Sequence, residues 1–172
     1  MRARTFKVIV VGEGGVGKTS LVRRYVDRVF TEGTMSTIGV DLSSKTILND
    51  GVEEILQIWD LGGQPRFRNI ADLFFKGASG AIAVFDVTRK ETLCELSDWI
   101  KHLRFVTGSI PLVFVGNKVD LRTSRDHVSS GVSREEAIRF AQDYSSPYVE
   151  ASARKGSGVE EAFKALVVRL GA

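Results

Sequence analysis

The sequence predicts an α/β domain in which a six-stranded, mostly parallel sheet carries helices on both faces. Short apolar runs alternate with amphipathic segments, two of the runs are joined by a tight turn, and polar or glycine residues follow the runs. Alternation of strands and helices favours a parallel sheet, and the turn-linked pair adds one antiparallel edge strand. The 172 residues, 43% of them hydrophobic, fit a single domain spanning 1–172.

Each element is predicted from its own local pattern. Strands are predicted at 6–11, 40–48, 52–59, 81–87, 112–116 and 148–151, with the turn Asn49-Asp50-Gly51 closing a hairpin. Helices are predicted at 18–27, at 91–104, from Ser133 onward and at 159–170. Ser133 is followed three residues later by Glu136, which is the spacing of a capping box. In all, about five helices are expected to flank the sheet.

Composition excludes several classes of protein. The net charge of +3 is too small to indicate a nucleic-acid partner. Cys94 is the only cysteine, which excludes a disulfide framework, and we interpret it as a packing residue. No apolar run approaches the ~20 residues that span a bilayer. With neither a signal peptide nor a lipidation site, the sequence predicts a cytoplasmic monomer, peripheral to a membrane only if its C-terminus is truncated or through partners.

The segment from Gly12 to Thr19 predicts a nucleoside triphosphate site. Its sequence, GEGGVGKT, fits G-x-x-x-x-G-K-[ST] and lies between a predicted strand and a predicted helix. The glycines let successive amides point at phosphate oxygens, and the helix adds the positive end of its dipole. Lys18 would neutralise the β- and γ-phosphates, and the Thr19 hydroxyl would bind Mg²⁺.

A second group of candidate residues follows the third predicted strand, in the run WDLGGQ. Asp60 ends that strand and is placed to hold Mg²⁺ through water. Gly63 would offer its amide to the γ-phosphate, and Gln64 could orient an attacking water.

The fifth strand ends in Asn117-Lys118-Val119-Asp120, which indicates guanine. Guanine presents N1–H and the 2-amino group as adjacent donors, and the Asp120 carboxylate can accept both; adenine lacks that pair. The Asn117 amide can bridge neighbouring loops, and the Lys118 stem can lie along the ring. After the last strand, the Ala153 amide could meet the guanine O6.

Five motifs in this order resemble those of the Ras-superfamily small GTPases, and the resemblance covers essentially the whole chain. The motifs are Gly12 to Thr19, Thr37, Asp60 to Gln64, Asn117 to Asp120 and Ser152 to Arg154. The run Thr37-Ile38-Gly39-Val40-Asp41 and the tryptophan before Asp60 look Rab-like, whereas WDxGGQ resembles the Arf and Arl branch. The resemblance implies the P-loop NTPase (small G-protein) fold.

The resemblance also implies a switch between GTP and GDP states. Thr37 would reach Mg²⁺ and the γ-phosphate only with GTP, and Phe30 would pack edge-on to guanine. Switch I (about 31–41) and switch II (about 61–75) would report the nucleotide to effectors, an exchange factor and a GTPase-activating protein. Gly14 leaves room for a partner's arginine, and no motif places an arginine of this chain to act in cis, so slow hydrolysis is expected.

The resulting candidate residues fall into three groups. The nucleotide-binding candidates are Gly12, Gly14, Gly15, Val16, Gly17, Lys18, Thr19, Ser20, Phe30, Thr37, Gly63, Asn117, Lys118, Asp120, Ser152, Ala153 and Arg154. The candidate Mg²⁺ ligands are Thr19, Thr37 and Asp60. The candidate catalytic residues are Gln64, Lys18 and Thr37.

Three departures from the family pattern keep an alternative open. Thr34 stands where many members have a tyrosine, Arg154 replaces a lysine, and Pro65 follows Gln64 where glutamate is usual. Proline restricts the residue before it, so Pro65 biases Gln64 into or away from its catalytic pose. The alternative is a GTP/GDP-binding assembly module with little or no hydrolysis. A third reading, an ATP-using kinase or ATPase, is disfavoured by Asp120.

Other conspicuous residues are interpreted structurally. Trp99 lies at helical spacing with apolar neighbours and is expected in the core. Trp59 is either a core residue or an exposed platform for partners. The arginines Arg23, Arg24 and Arg28 are interpreted as a solvated helix face.

Overall fold

A computed structural model describes residues 3–33, 35–122 and 131–171. In this part of the chain, six strands form one sheet in the order β2-β3-β1-β4-β5-β6. The strands are β1 (Arg4–Val11), β2 (Val40–Asn49), β3 (Val52–Leu61), β4 (Gly80–Asp86), β5 (Leu112–Asn117) and β6 (Tyr148–Glu150). The β2–β3 pair is antiparallel and the other neighbours are parallel, which confirms the predicted fold class.

The helices flank this sheet. They are α1 (Lys18–Asp27), α2 (Ala71–Phe75), α3 (Lys90–Thr107), α4 (Arg134–Gln142) and α5 (Val159–Leu170). Two 3₁₀ helices, Pro65–Ile70 and Val119–Leu121, complete the described elements. The bounds of α1 and α5 agree with the prediction, and α3 is longer than predicted at both ends. At α4 the Ser133 hydroxyl accepts from the Glu136 amide (3.1 Å), whereas the Glu136 carboxylate pairs with Lys90.

The core lies on both faces of the sheet because successive strand residues point to opposite sides. In β1, Val8 and Val10 pack with α1 and α5, while Ile9 and Val11 pack with α2 and α3. The central strands β4 and β5 are buried along their whole length, as expected for parallel strands covered on both faces.

The predicted hairpin turn is two residues long. Asn49 pairs with Val52, and Asp50 and Gly51 both have positive φ (49° and 77°), the pattern of a type I′ turn.

One of the single-residue interpretations changes. Cys94 is exposed and is therefore not the packing residue that its neighbour Leu93 suggested, because the buried stripe of α3 runs through other positions. Trp99 is in the core as expected, and Trp59 is half-buried, with the Lys7 Nζ 4.2 Å from its ring centroid.

Among the described residues, no helix has the length and apolar character needed to cross a membrane. Thr34 lies outside the described residues.

Candidate nucleotide-binding site

The phosphate loop connects the buried end of β1 to the first turn of α1. Lys18 begins α1, and its Nζ donates to the carbonyls of Gly12 and Glu13, both at 2.8 Å. Its side chain is almost fully buried, and this burial lowers the Lys18 pKa to about 8, although Asp60 and Glu13 oppose the shift. An anion beside Lys18 would therefore restore a favourable environment for its charge.

Gly17 is required at the junction of this loop with α1. Its φ of 95° is in the left-handed region, and a Cβ there would lie 2.3 Å from the Asn117 Nδ2. Another residue would therefore strain the backbone and push the phosphate loop away from Asn117, which belongs to the predicted base-binding residues.

The three predicted Mg²⁺ ligands lie together. The hydroxyls of Thr19 and Thr37 are 2.6 Å apart, and Thr19 also donates to the Asp60 Oδ2. The other Asp60 carboxylate oxygen is buried and has no hydrogen-bond partner, and burial raises the Asp60 pKa despite the Thr19 bond and Lys18. Two hydroxyls and a carboxylate with a free oxygen form a donor set that suits a hard cation such as Mg²⁺.

The segment after β3 packs directly on the phosphate loop. A Cβ on Gly63 would lie 2.4 Å from the Glu13 carbonyl carbon and 2.5 Å from the Gly12 oxygen, so this approach requires glycine. The Gly62 amide donates to the Gly39 carbonyl (2.8 Å), which joins the two predicted switch segments.

Gln64 lines one cavity together with Lys18, Thr19 and Thr37, and we call it the phosphate cavity. Its backbone is extended (φ −70°, ψ 145°), and Pro65 occupies the first turn of the 3₁₀ helix that follows. The residue before a proline favours this extended conformation, and proline suits a helix start. The structure thus places Gln64 at the phosphate cavity with Pro65 present.

Hydrogen bonds between the predicted base-binding residues join three loops of the site. Buried Asn117 donates through Nδ2 to the Val16 carbonyl (2.9 Å) and accepts at Oδ1 from the Ala153 amide (3.1 Å). Ser152 Oγ donates to the Asp120 Oδ1 at 2.7 Å. The Ala153 amide is therefore already engaged, so a contact with guanine O6 would share or replace its bond to Asn117.

Lys118 completes this end of the site. Its backbone is left-handed (φ 67°), and its Nζ donates to the Gly15 carbonyl (2.6 Å) and pairs with Asp86 (2.9 Å). A cavity of about 370 Å³ is lined by Phe30, Lys118, Asp120 and Arg154, among others. Arg154 also pairs with Glu32 (2.7 Å).

Three residues with contacts at the site were missed in the sequence. Arg24 is not simply solvated, because it donates to the carbonyls of Ala153 (2.8 Å) and Arg154 (2.6 Å). Nothing in its helical position indicates this role. Asp86 ends β4 at the carboxyl edge of the sheet. Ligands of such sheets bind beyond the carboxyl ends of the strands, so this residue could have been predicted from the sequence. Arg89 donates to the Gly14 carbonyl (3.2 Å) from the start of α3.

The glycine loop between β1 and α1, with the polar ends of the other parallel strands around it, defines the protein as a P-loop nucleotide-binding protein. A family model described as "Ras family" matches residues 7–171. The chain therefore belongs to the Ras family and is a small GTP-binding switch protein.

Curated relatives agree with this assignment and are Rab proteins. The chain is 41% identical over 167 residues to "Ras-related protein Rab-1" of Theileria parva, covering 96% of this chain and 74% of the relative. It is 40% identical over 168 residues to "Ras-related protein Rab-18-B" of Danio rerio, covering 96% and 79%. The Rab-like assignment made from the sequence is thus confirmed.

Proposed function

We propose that this chain binds GTP or GDP together with Mg²⁺ and slowly hydrolyses GTP to GDP and phosphate. The observation that carries the proposal is the convergence of Thr19, Thr37 and Asp60 at one cavity with Gln64 and Lys18. When bound, Mg²⁺ would neutralise charge on the β- and γ-phosphate oxygens. Lys18 would hold those phosphates, and Gln64 would orient the attacking water.

Guanine selectivity is assigned to Asp120. Its Oδ1 is fixed by the Ser152 hydroxyl, which orients the carboxylate before the base arrives. Such an oriented acceptor suits the paired donors of guanine, and adenine would leave it without partners.

The switch segments are proposed at about 31–41 and 61–75. They meet through the Gly62–Gly39 hydrogen bond and the contact between Thr37 and Thr19, so a γ-phosphate could hold both in place. The side chains of Ile38 (76% exposed), Leu42 (56%) and Leu73 (67%) lie on or beside these segments. Exposed apolar side chains there suit effectors that read the nucleotide state.

Slow hydrolysis follows from the proposed need for a partner's arginine. A Cβ on Gly14 would come no closer than 3.9 Å to Gln64, so the glycine leaves space beside the proposed catalytic residue. An arginine supplied in trans contributes roughly 10³–10⁵ in rate to such enzymes. Exchange factors and activating proteins remain proposed partners, and monomeric state and cytoplasmic location stay predictions.

Two measurements test this function. The purified protein is denatured to identify the nucleotide that it releases, and loaded GTP is then followed over time in a single turnover. We expect guanine nucleotide and slow decay of GTP, which Gln64→Leu should reduce to a much lower residual rate that is still measurable. Gln142→Leu, an exposed position on α4, is the matched control and should leave the rate unchanged.

Release of adenine nucleotide would contradict the assignment of guanine as the bound base. GTP that persists whether or not Gln64 is altered would favour the assembly module.

A further inference from the structure

Four side chains meet where the phosphate loop, the 3₁₀ helix Pro65–Ile70 and α3 come together. The Glu13 Oε1 accepts from the Arg68 Nη2 and from the Trp99 Nε1, the latter at 2.9 Å. Arg68 also donates to Glu95 (3.0 Å), and its guanidinium lies 5.3 Å from the centre of the Trp99 ring. One carboxylate of the phosphate loop therefore holds a residue of switch II and a residue of α3.

The environment of this cluster strengthens its contacts. Trp99 is 1% exposed, and the side chains of Glu13 and Arg68 are 18% and 28% exposed. Charged hydrogen bonds that are partly removed from water are stronger than those of exposed ion pairs. Arg68 has its guanidinium between two carboxylates and over an indole, an arrangement that fixes its position.

The same 3₁₀ helix carries the proposed catalytic glutamine. Gln64 is its N-cap, and the Gln64 carbonyl accepts from the Phe67 amide at 2.9 Å. Pro65 has a fixed φ, so the connection between Gln64 and the helix is stiff. Displacement of Arg68 would therefore displace Gln64.

We infer that Glu13 is a positioning residue for GTP hydrolysis: its carboxylate, acting through Arg68, holds Gln64 over the phosphate cavity. This inference rests on the proposed role of Gln64. Glu13 is suited to this function because its own backbone forms part of the site. Its carbonyl binds Lys18, and its carbonyl carbon lies 2.4 Å from where a Cβ of Gly63 would stand. Glu13 therefore contacts the phosphate site through its backbone and positions Gln64 through its side chain.

Charge and positioning can be separated by two substitutions. Glu13→Gln removes the charge that faces Arg68 but keeps an oxygen that can accept from Trp99, so the buried indole N–H need not lose its partner. Arg68→Gln removes the cation instead. The two variants change the local charge in opposite directions, so a direct electrostatic effect on the phosphates would move their rates oppositely. Loss of positioning would lower both rates.

The test is single-turnover GTP hydrolysis by the whole chain, with nucleotide dissociation measured in parallel. We expect Glu13→Gln and Arg68→Gln each to slow hydrolysis roughly tenfold, because small displacements of a catalytic group are costly. Combining them should cause no further loss. Asp98→Asn, which removes an exposed α3 carboxylate paired with Lys101 (3.7 Å), is the control and should not change the rate. Unchanged nucleotide dissociation would show that each variant is folded.

The Gln64→Leu background separates positioning from a merely structural role. Glu13→Gln should have no further effect there, because the residue that it positions is gone. An unchanged rate in the single Glu13→Gln variant, or an equal loss in the Gln64→Leu background, would overturn the inference. If Gln64→Leu alone left hydrolysis unchanged, the proposed function would fail first, and the two failures are therefore distinguishable.

Discussion

The two ends of the nucleotide site are built differently. At the base end, Asn117 and Ser152 are buried, and each makes side-chain hydrogen bonds that tie loops together. At the switch end, Gln64 is half-buried and Ile38 and Leu73 are mostly exposed. A fixed arrangement suits recognition of an unchanging base, whereas segments with more exposed side chains can respond to one phosphate group. The comparison teaches that selectivity and switching can be altered separately.

The largest expected effect is at the base end. Asp120→Ala should lower affinity for GDP roughly 100- to 1,000-fold, because two hydrogen bonds to a charged acceptor are lost. Binding of a fluorescent guanine nucleotide checks this, with the exposed Asp143→Ala as control. Equal affinity in the variant would remove Asp120 from base recognition.

The next effect is at the switch end. Gly63→Ala places a methyl group against the backbone of Glu13 and should push switch II away from the phosphate loop. We expect hydrolysis to fall roughly 30- to 100-fold because Gln64 moves with that segment. GDP affinity should change far less. Gly171→Ala, where an added Cβ would come no closer than 3.9 Å to another atom, is the control. If affinity fell as much as hydrolysis, the two ends would not be separable.

A smaller effect is expected from removing Arg24, which holds the loop at Ala153 and Arg154 beside the base-binding cavity. Arg24→Ala removes two hydrogen bonds to the carbonyls of Ala153 and Arg154 and should speed GDP dissociation about tenfold. The rate of hydrolysis should stay the same. Arg28→Ala, at the exposed end of the same helix, serves for comparison. Unchanged dissociation would mean that the loop is held without Arg24.

The smallest effect concerns Pro65. Pro65→Glu gives the backbone around Gln64 more freedom and should slow hydrolysis about two- to fivefold, the scale of a proline's entropic contribution. Nucleotide dissociation should not respond. An unchanged or faster intrinsic rate would show that proline does not help Gln64.

The elements predicted well from the sequence are those with a local signature. The bounds of α1 and α5 follow from helical spacing of apolar residues, and the hairpin follows from Asp50-Gly51. The 3₁₀ helix Pro65–Ile70 and α2 were not predicted, because both are short and their positions depend on contacts made elsewhere in the fold.

Site residues show the same division. Lys18, Thr19 and Asn117 were found because their motifs are contiguous. Arg24 was missed because its partners are 129 and 130 positions away in the chain. Glu13 was seen only as a variable position of a loop motif, since its contacts with Arg68 and Trp99 exist only after folding.

The hydrogen bond between Trp99 and Glu13 gives the protein an internal optical probe. The chain has two tryptophans, and they report on different surroundings: the Trp99 indole meets a carboxylate of the phosphate loop, while Trp59 lies beneath Lys7 and beside Phe74. Indole emission responds to nearby charge, so motion of the Glu13 carboxylate would change the colour and yield of Trp99 fluorescence. In a Trp59→Phe background, nucleotide exchange could then be followed in unlabelled protein.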